Sequence, residues 1–345
     1  MSDSTTSPPS DSNGPKTPPP PPPGMAQLKV YLHSPGITDA MILRHLLGRE
    51  RLPDAPPSAD NMIVIGFDTE SWVLDSEKLT EIGFCIFDSR DLRQIKEAGP
   101  HGQNLLKGMY WYHVHTNRFG TTRFLTIPET KDMLTECFGW EIDPSRPELG
   151  NCPVVVLGHA LHNDLPKLHE HVGFDHRQLG TVVKQIDTQN LAASTGHWSG
   201  QPVGLRRLVQ NIIGFEYRDE HTACNDIGMT VISAVQMVLP AELKTNQPKT
   251  LQEVVDSIEA WSQGSPWSNG SATYCLQCNT RGHMKKRCRA SINSCEHCSS
   301  SGVESRMQAA PYHESHKCIT WMKEMAKDDR ARLAMVAREA LSINE

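Results

Sequence analysis

The fold class this sequence predicts is α/β: a mixed β-sheet flanked by helices, carrying smaller appendages. Three observations carry that prediction. Apolar runs rich in β-branched and aromatic residues recur at 63–65, 80–87 and 109–115, which is strand composition. Further along, short apolar runs at 153–157 and 181–186 alternate with segments of helical period. Strands first, then strands alternating with helices, is the order of a mixed sheet with helices packed on it. Finally, 345 residues suffice for one substantial domain plus appendages, and the strand and helix patterns place that domain at 60–240.

The elements follow in order. Residues 1–24 are Ser, Thr, Pro, Asp and Gly and end in a proline run from Pro18 to Pro23. Such a tail buries no core and is expected to be disordered, with local polyproline II character. It is either a spacer or a docking segment for a protein partner that reads proline-rich chains. Residues 25–59 form a helical extension and linker, with an amphipathic stretch at 38–47 that Thr38 or Asp39 caps and Gly48 stops. Ile63-Val64-Ile65 then opens a strand buried on both faces. The strand at 80–87 is expected antiparallel to it, and 109–115 supplies a third. Pro128 opens a helix running to about Phe138. The strand at 153–157 leads to a helical segment near 165–171, and the strand at 181–186 ends in Asp187. Helices follow at 203–213 and 223–238. Residues 241–272 hold a capped helix at 250–262 and a flexible Gly/Ser linker, 273–318 hold the cysteines, and 319–345 form a charged helical tail.

Composition narrows the function. The formal net charge of −6 excludes a wholly basic nucleic-acid binder, leaving local patches to do that work. No run of about 18 apolar residues predicts a membrane span. The first residues lack an apolar signal-peptide core, so the expected compartment is cytoplasm or nucleus. Thiols stay reduced there, and six of the ten cysteines lie between Cys275 and Cys318. Clustered cysteines in that setting read as metal ligands.

The first strand ends in Asp68-Thr69-Glu70. Side chains alternate along a strand, so Asp68 and Glu70 point to one face, where two carboxylates repel unless a cation lies between them. Downstream, Val154-Val155-Val156-Leu157-Gly158 leads through a turn to Asp164 at the start of a helix. His221 and Asp226 lie five apart where a loop becomes a helix. Asp68-x-Glu70, then Asp164, then His221-x4-Asp226 resemble the three motifs of the DEDDh 3′→5′ exonuclease superfamily, which has a ribonuclease H-like fold. Asp187-Thr188 resembles the strand-end pair that often follows the second motif. The arrangement is also similar to a fungal subfamily related to a yeast protein linked to an mRNA-export helicase. The resemblance covers roughly 60–240. It implies that Asp68, Glu70, Asp164 and Asp226 hold two Mg²⁺ or Mn²⁺ ions, and that His221 is the general base toward water. Hard cations prefer carboxylate oxygens, and an unperturbed imidazole titrates near neutral pH.

The cysteine segment has its own chemistry. Cys275, Cys278, His283 and Cys288 have the spacing C-x2-C-x4-H-x4-C, which looks like a CCHC zinc knuckle. Three thiolates and an imidazole close a tetrahedral Zn²⁺ shell. Arg281, Lys285, Lys286 and Arg287 lie among these ligands and Arg289 just beyond, with no acid between them, which suits single-stranded RNA or DNA. A purely structural or protein-binding zinc module remains open. A second zinc set is Cys295, Cys298, His313 and Cys318, with His297 and His316 as alternatives to His313. Its loop between Cys298 and His313 is longer than a knuckle allows.

The function expected is therefore metal-dependent 3′→5′ exonucleolysis of single-stranded nucleic acid, RNA favoured over DNA, with knuckles aiding strand binding. Two rivals stand beside it. One is a catalytically silent RNA-binding adaptor of mRNA metabolism built on a nuclease-like fold. The other is an exonuclease of DNA repair or proofreading.

Overall fold

Alternation along the first apolar run decides the layering of the molecule. Val64 and Gly66 face one side of the sheet and Ile63, Ile65 and Phe67 the other, so each side needs its own cover. The computed structural model describes residues 23–72, 75–114, 121–122, 125, 127–218, 222–264, 288–290, 294–315, 318, 320–321 and 324. The proline-rich tail up to residue 22 and the linker at 265–271 lie outside the described residues, as does nearly all of the C-terminal tail.

The strands are β1 Ile63–Trp72, β2 Asp75–Asp88, β3 Tyr110–Val114, β4 Thr121–Thr122, β5 Val154–Gly158 and β6 Val182–Asp187. They form one mixed sheet in the order β4-β3-β2-β1-β5-β6, β4 contributing two residues. β2 runs antiparallel to β1, as its sequence position implies, while β5 is parallel to β1 and β6 to β5. The helices are α1 Pro23–Leu32, α2 Asp39–Leu46, α3 Ser89–Gln94, α4 Gln103–Lys107, α5 Ile127–Phe138, α6 Asp164–Lys167, α7 Thr188–Ser194, α8 Leu205–Arg207, α9 Ala223–Val238, α10 Leu251–Gly264, α11 Glu296–Ser299 and α12 Glu304–Ala309. The α/β class with a mixed sheet flanked by helices is thus the observed architecture. Among the described residues no helix is long and apolar enough to cross a membrane.

Two apolar layers hold it together. On one side Ile63, Ile65, Phe67, Phe84 and Ile86 pack with Met133, Leu134 and Phe138 of α5. On the other, Val64, Cys85, Phe87, Val155 and Leu157 pack with Ile227, Val231 and Val235 of α9. Every residue of α9 is buried. The sequence gives this helix an amphipathic reading, yet its outer face is covered too. Ile42, Leu43 and Leu46 of α2 and Val254 and Ile258 of α10 belong to the same core. α1 also joins it through Met25, Leu28 and Leu32, and Lys184 of β6 pairs with Asp39 at 3.0 Å. Each such buried aliphatic side chain contributes about 1.5–3 kcal/mol relative to exposure. The segments flanking 60–240 are therefore packed into the sheet domain rather than hung from it.

Candidate functional site

Three acids meet at the end of β1. Carboxylate oxygens of Asp68, Glu70 and Asp226 lie within 4.8 Å of one another. Alternation puts the first two on the α9 side of the sheet, and Asp226 comes from the first turn of α9. Gly83 makes this approach feasible. It stands opposite Asp68 in the β1–β2 register, and a Cβ there would sit 2.3 Å from the Ala223 carbonyl oxygen. No side chain at position 83 lets the start of α9 rest on β2. Thr222 makes no side-chain cap, and Glu81 substitutes by accepting from the Ala223 amide at 3.4 Å. Glu81 is paired with Glu70 across the strands, so it shares the acids' face.

Asp164 reaches the same strand end from the opposite side. Thr69 alternates away from Asp68 and Glu70, and its hydroxyl donates to Asp164 Oδ1 at 2.5 Å. Both residues are buried, at 4% and 5% exposure. Asp164 therefore stands beside the trio rather than within it. The turn before it is fixed by Asp187, whose carboxylate accepts from the amides of Ala160 and Leu161 at 3.2 and 3.1 Å and also from Gln189 at 2.9 Å. Ala160 adopts a left-handed φ of 57°, a conformation that this clamp helps to hold. Asp187 thus positions the turn. Its carboxylate is engaged by three amides, which explains a strand-end acid that joins no cluster.

Electrostatics crowd negative charge at the trio, a repulsion that a cation would relieve. Burial pushes the Asp68 carboxyl well above its ordinary range, and the charges of Asp164, Asp226 and Glu70 push it further. Asp164 is also raised by burial, against the opposing hydrogen bond from Thr69 and the charge of Lys167. Buried Asp68 Oδ2 has no hydrogen-bond partner among the described residues. An oxygen left in that state is costly unless something positive meets it. Converging carboxylates with one orphaned oxygen fit a hard divalent ion such as Mg²⁺ or Mn²⁺. Tyr217, which the sequence reading did not single out, donates its hydroxyl to Asp226 Oδ1 at 3.0 Å. His221 lies outside the described residues.

The second cysteine set also assembles. Cys295, Cys298, His313 and Cys318 are all buried, with ligand atoms within 4.8 Å of one another. Cys298 Sγ lies 3.6 Å from His313 Nε2 and 3.5 Å from Cys318 Sγ. A tetrahedral ion with zinc-like bonds spans sulfur–nitrogen and sulfur–sulfur edges of ~3.6 and ~3.8 Å. His313 Nδ1 faces the Ala309 carbonyl at 3.0 Å, which turns Nε2 toward the sulfurs. Burial, with neighbouring Cys318, pushes the Cys298 thiol up to about 12. The donor set therefore fits a thiophilic metal that would displace the proton. The long loop that seemed excessive for a knuckle contains α12 and a further turn over Ala310–Tyr312. His297 is no ligand in this arrangement. It stacks on Trp321 with ring centroids 4.9 Å apart. Of the first set, Cys275, Cys278 and His283 lie outside the described residues, as do Arg281, Lys285, Lys286, Arg287 and His316. Cys288 is half-buried and Arg289 exposed.

Comparison with curated proteins gives no match. One family model matches residues 113–237, and its description reads "DNA polymerase III subunit epsilon-like, C-terminal domain". That span is less than half of the chain. It includes Asp164, His221 and Asp226 but begins after the strand that carries Asp68 and Glu70. Over those residues the chain is similar to DEDDh exonucleases, a similarity that supports a nuclease function and a divalent-metal requirement.

Proposed function

We propose that the chain is a metal-dependent 3′→5′ exonuclease acting on single-stranded nucleic acid, with RNA favoured over DNA. The observation that carries this reading is the convergence of Asp68, Glu70 and Asp226 around an unpartnered buried oxygen. These three, with Asp164 completing the set, would hold two Mg²⁺ or Mn²⁺ ions, which when bound stabilise charge on the attacking and leaving oxygens of a phosphodiester. Lys167 eases the negative charge on Asp68 and Asp164. His221 is assigned as the base that takes a proton from water. The cysteine modules are assigned zinc and a share in holding the strand. The RNA preference rests on the knuckle chemistry and on the resemblance to an RNA-linked fungal subfamily.

One observation favours the adaptor reading. Asp164 is turned onto Thr69 and stands outside the trio. The deciding experiment uses 5′-labelled RNA and DNA strands of matched sequence, with free or blocked 3′ ends, with and without Mn²⁺. The expected result is Mn²⁺-dependent shortening from free 3′ ends, faster on RNA and abolished in Asp68→Asn. Binding without shortening of either strand would establish the adaptor instead.

A further inference from the structure

An acidic cluster repels the polyanion it would cut, so cations must flank it for a strand to approach. Lys167 supplies one on the Asp164 side. Two arginines of α8 have a distinctive setting. Arg206 and Arg207 are consecutive and exposed on α8, and each guanidinium lies over an aromatic ring. Arg207 Cζ is 4.2 Å from the centroid of Trp198, and Arg206 Cζ is 5.7 Å from that of Tyr217. Tyr217 is the residue whose hydroxyl donates to Asp226 Oδ1. Arg206 thus stands over the ring whose hydroxyl meets the acid cluster, and Arg207, next on α8, stands over Trp198.

We infer that Trp198, Arg206, Arg207 and Tyr217 form the face on which single-stranded nucleic acid lies as its end enters the acidic site. A guanidinium laid on a ring is held near its plane, and its outer face accepts a nucleobase while its N–H groups reach phosphate. Two such pairs offer two stacking positions, which suits an unpaired strand and not a duplex whose bases are already stacked. The inference deepens the nuclease reading by naming the strand path, and it rests on that reading only for the direction in which the strand runs.

Photocrosslinking with the full chain tests it, with a 4-thiouridine-containing oligouridine as probe and no Mn²⁺ added, so that binding is read without turnover. Crosslinks are expected on the peptide spanning 198–217. They are expected to fall at least five-fold in Arg206→Ala/Arg207→Ala. Arg207→Lys keeps the charge but not the plane, and should lower crosslinking with little change in its salt dependence. Arg146→Ala, on an exposed pair with Asp143, should leave the pattern unchanged. Crosslinks confined to 275–289, no crosslinks at all, or an undiminished 198–217 signal in the double variant would each overturn the inference. Crosslinks at 198–217 without strand shortening in Mn²⁺ would sink the nuclease reading and leave the stacking face standing.

Discussion

Asp68 concentrates the conflict built into this protein. Its side chain is half-buried, faces three other acids, and has one enclosed oxygen, Oδ2, with no hydrogen-bond partner among the described residues. The metal-free fold holds that charge against its own stability. Asp68→Asn keeps the shape and removes the charge, so the metal-free variant should be more stable than the wild type at neutral pH, by about 1 kcal/mol. Mn²⁺ should reverse the order. An ion at 100 times its dissociation constant adds about 2.7 kcal/mol to the wild type and nothing comparable to the variant. Thermal melts with and without Mn²⁺ check both halves, and a wild type that melts above the variant without metal would contradict the account. Asp68 and Glu70 were legible from the sequence because alternation alone puts them on one face. That Asp164 would come from the far side was not legible. It depends on Thr69 pointing away and bonding it, and on Asp187 gripping the intervening turn. Tyr217 and Glu81 escaped notice for a similar reason, since neither lies in a recognisable pattern. Glu81 stands across from Glu70 only because the β1–β2 register shifts twice between the turn and Glu70, and no residue pattern marks those shifts.

At the scale of elements, the site depends on one contact between a strand and a helix. β2 carries Gly83 where α9 begins, and the backbone of Ala223 occupies the space a side chain would need. Gly83→Ala cannot be absorbed by a flexible side chain, because the neighbouring atoms are backbone. The start of α9 should shift outward, at a cost of roughly 1–3 kcal/mol. Asp226 moves with it, so Mn²⁺ affinity, read by titration calorimetry, should fall at least ten-fold while the far-ultraviolet dichroism stays native-like. Unchanged metal affinity would show that this close approach does not place Asp226. Element positions were well marked in the sequence, where the apolar runs of β1, β2, β5 and β6 have strand composition. The complete burial of α9 was not, because its cover comes from separate pieces, α7 and residues 208–213 together with α2, the last lying outside the span that the motifs define.

For the whole molecule, the sheet domain and the cysteine module have different sources of stability. The former has two apolar layers, whereas the latter has a small cluster of Cys295, Cys298, Ala310 and Cys318 with Trp321 against it. So small a core needs a metal. A zinc chelator should therefore release metal and change Trp321 fluorescence while leaving the main melting transition in place. Cys298→Ser should lower the zinc content by one equivalent per chain. A metal content equal to the wild type's would remove zinc from this cluster.

The order in which these parts meet has a further consequence. Met25, Leu28 and Leu32 share a core with Val183, and Asp39 pairs with Lys184, partners separated by well over a hundred residues. Lys107, in the first third of the chain, receives the indole N–H of Trp261 at its carbonyl oxygen. Chain closures that long are slow to find. During synthesis the opening helices must wait, their apolar faces uncovered, until β6 and then α10 have left the ribosome. Until that docking, the uncovered apolar surface favours aggregation.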